Sequence, residues 1–288
     1  MINPGIHIRE LPNLKNPLLI AGFNGWGNAL NVSTGMVSYL VRHFNAQPFA
    51  DFDTDTYYRY DELRPQVDIE EGILKYVKPP GGTFYAAETS VDQNDLVILN
   101  ADEPNLRWLQ FTDQLLSICK QLNVHMIITL GSMYDNVLHT DRALSGAAST
   151  EDWLSRLKQQ HVNPISYQGP GAIHTVIQSE GPKKGFECIS LWSHCPYYLQ
   201  GTTHFGVLSH LGGLIAKLGN FNLDTIDLDN NWEKIREQIN KLIEDNSEIQ
   251  TLVSNLRKEK AKGSTANQKR TVKGNEKIIN LQDFLEPK

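Results

Sequence analysis

The sequence predicts an α/β fold built on a mostly parallel sheet covered on both sides. Three observations carry that reading. The strand candidates are continuous apolar runs, such as Leu18-Leu19-Ile20-Ala21 and Leu96-Val97-Ile98-Leu99, the pattern of strands buried on both faces. Strand and helix candidates alternate along the chain, the order of βα units. The glycine-rich stretch 22–27 joins the first strong strand to a helix rather than to a hairpin partner.

Each element follows from local pattern. A strand is expected over 17–23 and a helix over 28–44, where Leu30, Val32, Met36, Val37, Leu40 and Val41 recur at helical spacing. A short strand follows at 47–53. Residues 73–78 and 83–88, flanking Pro79-Pro80-Gly81-Gly82, read as a strand pair around a turn and make the sheet partly mixed. After the strand at 95–99, Asp102 with Pro104 behind it marks a helix start, running to about Leu122. Residues 124–130 form the next strand and 131–149 a loop. Thr150 opens a helix over 150–160, with Trp153 and Leu154 inward, and a short strand is expected near 164–167. A helix at 172–179 stops at Gly181-Pro182, and a strand at 186–192 and a helix at 205–219 complete the body.

From Asp224 onward Trp232, Ile235, Ile239, Leu242, Ile249, Val253 and Leu256 fall on a heptad, with Asn246 at a core position. The favoured alternative to a coiled coil is two amphipathic helices packed on the body. They would break at Asp245-Asn246-Ser247, with Ser247 and Gln250 as a capping box. Residues 261–277 are polar and basic and are expected to be disordered. A short apolar terminus, Ile278 to Leu285, is expected to dock. The organisation is therefore a domain over 1–225, a helical extension over 226–260 packed on it, and a tail over 261–288.

Composition narrows the function. Formal net charge is −6 over 288 residues, but residues 1–256 carry a net −11 and residues 257–277 a net +6. An acidic body argues against a nucleic-acid binder, and a nucleic-acid, acidic-partner or membrane-surface contact is left to the tail alone. Cys119, Cys188 and Cys195 form no CxxC pair, the usage of a reducing compartment. No apolar core flanked by basic residues occurs in 1–16, so no signal peptide is expected. The longest apolar runs are far short of a membrane span. A cytoplasmic location is expected.

Motifs for chemistry are weak. Gly25-Trp26-Gly27 opens a helix after a strand, where a dinucleotide fingerprint would lie, and Asp51 or Asp53 stands where a ribose carboxylate would. Leu30 replaces the third glycine, however, and Trp26 crowds the pyrophosphate position. No P-loop and no HExxH is present, and neither metal nor cofactor is expected. Ser132, His139 and Asp141 can be written as a nucleophile set, but Leu130 and Met133 do not make a nucleophile elbow. Adjacent His194 and Cys195 would point in different directions from an extended segment. The turns after successive strands gather on one edge of a parallel sheet, where α/β proteins keep their sites. That edge would hold a shaped surface rather than a phosphate clamp.

An ordered set of pieces resembles the proteasome-assembly-chaperone-two family, in its bacterial and archaeal branch, over about 17–256. They are Gly22-Phe23-Asn24-Gly25-Trp26, Asp53, Tyr60, Arg64-Pro65 and Glu103-Pro104; then Leu130-Gly131, His139-Thr140-Asp141-Arg142, Gly169-Pro170 and Trp192…Pro196-Tyr197-Tyr198. The chain departs from the family with Asn28-Ala29-Leu30 after the tryptophan turn, an exchanged Arg59/Asp61 charge pair, and Leu138 before His139. The resemblance implies a three-layer α/β/α fold of the phosphorylase and hydrolase kind, a homo-oligomer with a trimer favoured, and no established catalysis. Some archaeal relatives dock on the proteasome through a hydrophobic-tyrosine-any ending, whereas this sequence ends Leu285-Glu286-Pro287-Lys288. Docking by that route is not expected.

The leading expectation is a non-enzymatic, chaperone-like scaffold acting on a protein partner through self-association and protein contacts. Its binding-edge candidates are Gly22, Asn24, Gly25, Trp26, Asp53, Tyr60, Arg64, Glu103, Gly131, His139, Thr140, Arg142, Gly169, Pro170, Trp192, Pro196 and Tyr197. The alternative is an enzyme on a nucleoside-phosphorylase-like scaffold, or a carboxylate–amine ligase, with Asp53, His139 and Arg142 as its acid–base and anion-binding groups.

Overall fold

Leu18 and Ile20 turn to one side of the sheet while Leu19, Ala21 and Phe23 turn to the other, and all five are essentially buried. The computed structural model describes residues 5–201, 203–261 and 279–280. In chain order its strands and α-helices are β1 (Ile6–Ile8), β2 (Leu18–Asn24), α1 (Val32–His43), β3 (Gln47–Phe52), α2 (Thr54–Tyr57), β4 (Gln66–Glu70), β5 (Ile73–Lys78), β6 (Gly82–Ala87) and β7 (Leu96–Asp102). There follow α3 (Trp108–Gln121), β8 (Met126–Asp135), β9 (Leu144–Ala148), α4 (Glu151–Gln159), β10 (Asn163–Pro164), α5 (Ile173–Glu180), β11 (Glu187–Pro196) and β12 (Leu199–Gln200). The last elements are α6 (Phe205–Gly219), α7 (Ile226–Asp245), α8 (Ser247–Ala261) and β13 (Ile279–Asn280).

Nine strands form one sheet in the order β1-β3-β6-β7-β2-β8-β11-β9-β10. Its centre, β7-β2-β8-β11, is parallel. The flanks β1-β3-β6-β7 and β11-β9 are antiparallel, so the sheet is mixed around a parallel core. α1, α4 and α6 cover one face, with α7 and α8 outside them. α2, α3 and α5 cover the other. The α/β class read from continuous apolar strands therefore holds, because only a sheet covered twice buries successive residues.

Several local expectations are corrected. Residues 73–78 do not pair with 83–88. β5 pairs with β4 in a separate two-stranded sheet, while β6 enters the main sheet between β3 and β7. Asp102 ends a strand instead of opening a helix. Its carboxylate accepts from Gly81 N at 2.9 Å and Asn24 Nδ2 at 2.9 Å, and Arg107 in the left-handed region (φ 55°) delays α3 to Trp108. α1 likewise starts at Val32, because Leu30 and Asn31 are left-handed (φ 50° and 54°). The loop expected at 131–149 contains the end of β8 and all of β9. Periodicity misses both, because Gly131, Ser132, Ser145 and Gly146 interrupt the apolar run. The break between α7 and α8 is where the sequence places it, but the cap is Asn246. Its Oδ1 accepts from Glu248 N at 3.1 Å and Ile249 N at 3.3 Å. Residues 262–278 and 281–288 lie outside the described residues; of the C-terminal segment, Ile279 and Asn280 pair in parallel with Leu199 and Gln200.

α1 crosses the sheet where β2 leaves β8. Ser33 Oγ accepts from Phe23 N at 2.9 Å and donates to Leu130 O at 2.5 Å, closing that gap. The approach requires glycine at 22, where an added Cβ would stand 2.6 Å from Ser33 O and 2.9 Å from the Val37 methyls. Gly22→Ala is expected to destabilise the protein by about 1–3 kcal/mol, the usual cost of overpacking a core, read as a lower urea midpoint at unchanged slope.

Candidate functional site

The turns beyond β2, β7, β8 and β11 meet at the carboxyl edge of the parallel core, as the topology requires. Here an aromatic group lies on glycines. The Trp192 ring lies over Gly131, whose added Cβ would stand 2.7 Å from it, and beside Gly27, at 2.9 Å. Trp26 meets Trp192 edge-on at 6.3 Å between centroids and is 64% exposed. His174 packs between Trp192 (5.0 Å) and Phe23 (5.2 Å), its Nε2 donating to Leu130 O at 2.8 Å. Burial holds its pKa down to about 4, so the ring is neutral at physiological pH.

Glu103 ties this edge together. One carboxylate oxygen accepts from Trp26 N at 3.3 Å and the other from Ile173 N, the first residue of α5, at 2.9 Å. A carboxylate at that position also favours the helix dipole. Gly25, at φ +151°, leaves room for the Glu103 side chain, which an added Cβ would meet at 2.8 Å. Asn24, Gly25, Trp26, Glu62, Glu103 and Trp108 line a cavity of about 380 Å³ at the mouth of the edge.

A second cluster lies on the opposite face, beneath the helical extension. His139 is buried, with its backbone N donating to Tyr198 Oη at 2.8 Å and its Nδ1 at 2.8 Å from the same oxygen. Its carbonyl accepts from His204 Nε2 at 2.9 Å. His204 stacks on Trp232 of α7 (4.3 Å between centroids), and the Arg142 guanidinium lies over the same indole at 4.8 Å. Asp141 accepts from Leu138 N at 3.0 Å and pairs with Lys260 of α8 at 2.5 Å. These groups fasten α7 and α8 to the body. Burial lowers His139 to about 4 and His204 to about 3, Arg142 adding to both shifts.

The structure separates the remaining candidates. Asp53 caps α2, accepting from Thr56 N at 2.7 Å, and lies on the α3/α5 side of the sheet, away from His139 and Arg142. Tyr60 Oη, near it, donates to Asp55 at 2.5 Å. Arg59 pairs with Asp61 at 2.6 Å, so the exchanged charges meet each other. Arg64 and Thr140 are exposed. Gly169 and Pro170 sit in the loop before α5, where the Pro170 carbonyl accepts from Tyr167 Oη at 3.0 Å. Pro196 ends β11 in the core, and Tyr197 lines a cavity of about 300 Å³ against α8. Ser132 does not join His139: its Oγ donates to Ala29 O at 2.9 Å. Sequence reasoning missed His174 and His204, each a lone residue with no local motif; it placed Trp232 on the apolar face of the helical extension but not against His204 and Arg142. Among the described residues no cluster of His, Cys, Asp and Glu is placed to hold a metal, and no helix is long and apolar enough to cross a membrane.

A family model described as the PAC2 family matches residues 19–243, most of the chain. The chain belongs to the PAC2 family. Solved structures share the architecture. A PAC2 family protein from Streptomyces avermitilis is 24% identical, with a TM-score of 0.73 over 82% of this chain and 99% of its own. A proteasome-assembly chaperone homologue from Mycobacterium tuberculosis is 25% identical, with a TM-score of 0.74 over the same 82% of this chain and 99% of its own. A protein of unknown function from Corynebacterium glutamicum is 22% identical, with a TM-score of 0.82 over 92% of this chain and 100% of its own. No individually curated protein matches the chain.

The three buried histidines set a pH dependence. Their folded pKa values lie below the unfolded value of about 6.5, so the unfolded chain binds more protons between pH 4 and 6.5. Their contribution is full above about pH 6.5 and is lost as pH falls through the folded values. Urea midpoints are expected to drop steadily between pH 6.5 and 4. His204→Asn, which keeps an acceptor for Val207 N, is expected to make that slope shallower; an unchanged slope would count against the assignment.

Proposed function

We propose that this protein is a chaperone-like scaffold that self-associates and binds a protein partner. The observation that carries the reading is the β4–β5 hairpin. Its strands pair with each other and with no other strand among the described residues. Val67 opposes Val77 and Ile69 opposes Leu74, and a register shift between Asp68 and Ile69 brings these four onto one face. All four are 51–59% exposed, with Ile73 and Tyr76 exposed as well. A lone two-stranded hairpin is marginal in water, and a contiguous aliphatic face of this kind marks a contact surface.

The occupant that fits is a second copy of the chain. The hairpin carries both signs, Asp68, Glu70 and Glu71 beside Lys75 and Lys78, so identical hairpins can complement each other. The rest of the acidic body repels its like. A standard interface of about 1,600 Å² would place the aliphatic face at its centre and spread over the hairpin's base. The partner would bind at the carboxyl edge in this reading, which is supported by the largely exposed Trp26 at the cavity mouth, the anchor type that interfaces favour. The Mycobacterium tuberculosis relative, called a proteasome-assembly chaperone homologue, supports a proteasome-related partner.

Light scattering on the full chain tests the assembly. A homo-oligomer is expected at micromolar concentration, and Val67→Lys with Leu74→Lys is expected to give a monomer. Because these side chains are exposed in the protomer, thermal stability should shift by no more than about 0.5 kcal/mol beyond the lost association. A monomeric unsubstituted chain would overturn the reading.

A further inference from the structure

Three neighbouring strands bring Asp135, His194 and Ser145 into one hydrogen-bonded row. β11 lies between β8 and β9, with His194 opposite Met133, Pro196 opposite Asp135, and Trp192 opposite Ser145. His194 Nδ1 is 2.7 Å from Asp135 Oδ2, and His194 Nε2 is 2.9 Å from Ser145 Oγ. The other Asp135 oxygen accepts from Asn136 N at 2.7 Å, which fixes the carboxylate. The His194 hydrogen bond holds the Asp135 carboxyl below its usual range, so it is ionised at neutral pH. An ionised carboxylate only accepts, which assigns a proton to Nδ1; in the neutral imidazole Nε2 is then the nitrogen that accepts from the serine hydroxyl. That is the tautomer in which an imidazole takes a proton from an attacking serine.

The surroundings suit a site. Asp135 and His194 lie at the carboxyl ends of two parallel core strands, where α/β folds place their chemistry. Their side chains remain 27% and 19% exposed, so the row reaches solvent. Ser145 is 6% exposed, one strand in from the two-residue edge strand β10, where Asn163 stands in register with it and is itself exposed. Alternation sends the neighbouring Cys195 to the other face, with Sγ 3.7 Å from Ala29 O, so His194 is free of it.

We propose that Ser145, His194 and Asp135 form an acyl-transfer centre that hydrolyses small carboxylic esters, an activity beside the scaffold role and independent of it. Ser145 Oγ bonds to the acyl carbon while its proton passes to His194 Nε2. The ester C–O bond then breaks, and His194 returns that proton to the departing alkoxide, releasing the alcohol. Water repeats the two transfers on the acyl-serine, releasing the carboxylic acid and restoring Ser145. Asp135 stays ionised and acts as the positioning residue. The low exposure of Ser145 selects short acyl groups.

The test uses the full chain and a fluorophosphonate probe at neutral pH, with the adduct located by peptide mass spectrometry and p-nitrophenyl acetate turnover followed in parallel. The expected result is one phosphonyl adduct on Ser145, formed with loss of fluoride. His194→Gln is expected to slow both labelling and turnover by about 100-fold or more, the usual worth of general-base catalysis, and Ser145→Ala to abolish both. Asp135→Asn should lower labelling while leaving the melting midpoint close to that of the unsubstituted chain. A hydrogen-bonded row with only a structural role would give no adduct. Absence of labelling on the unsubstituted chain, or an adduct on another residue, overturns the proposal whether or not the variants fold.

Discussion

The structure depends on the burial of β2, β7, β8 and β11 on both faces. Along their inner residues, with no solvent on either side, the backbone polar groups of these strands must be satisfied within the plane of the sheet, and most side chains find an apolar partner above or below. Leu96 and Ile98 pack with α1 and α6, while Val97 and Leu99 pack with α3 and Phe111. Parallel neighbours then force crossover helices onto both faces. The same constraint delivers the four strand ends, and the turns beyond them, to a single edge.

What happens at that edge is a matter of close approach. Glycines at 22, 27 and 131 let α1 and the Trp192 ring come to contact distance, and Glu103 fastens the first βα turn to the start of α5 with two backbone hydrogen bonds. The result is an aromatic series from exposed Trp26 through Trp192, His174 and Phe23 to Phe111 and Phe52. On the other face α7 buries Leu228, Trp232, Ile239 and Ile243, and the Trp232 indole has His204 stacked on it and Arg142 over it. His139 and Arg142 are thus engaged in fastening the helical extension, and Asp53 in capping a short helix elsewhere.

Local pattern located much of this. The strand at 17–23, the helix at 205–219 and the break near Asn246 were legible because burial and capping leave a signature a few residues long. The partner of β5 was not, since Pro79-Pro80-Gly81-Gly82 fits a hairpin turn equally well as a change of sheet. Nor were the late starts of α1 and α3, which follow from left-handed residues at 31 and 107 that carry no glycine. The carboxyl edge was legible from Gly25, Trp26 and Glu103. The row through Asp135, Ser145 and His194 was not, because its members are separated by as many as 59 positions and meet only when β9 turns back against β11.

By itself the sequence determined the α/β class, the acidic body with its basic extension, and the set of residues gathered at the strand ends. Those properties are carried by composition and by periodicities shorter than one element. Tertiary structure alone decided that the β4–β5 hairpin stands apart with its aliphatic face uncovered among the described residues, that His139 and Arg142 hold the helical extension, and that one histidine lies between a carboxylate and a serine. Each of these depends on strand order and facing, and pairing between strands distant in sequence is set by the packing of the whole sheet rather than by any stretch of chain.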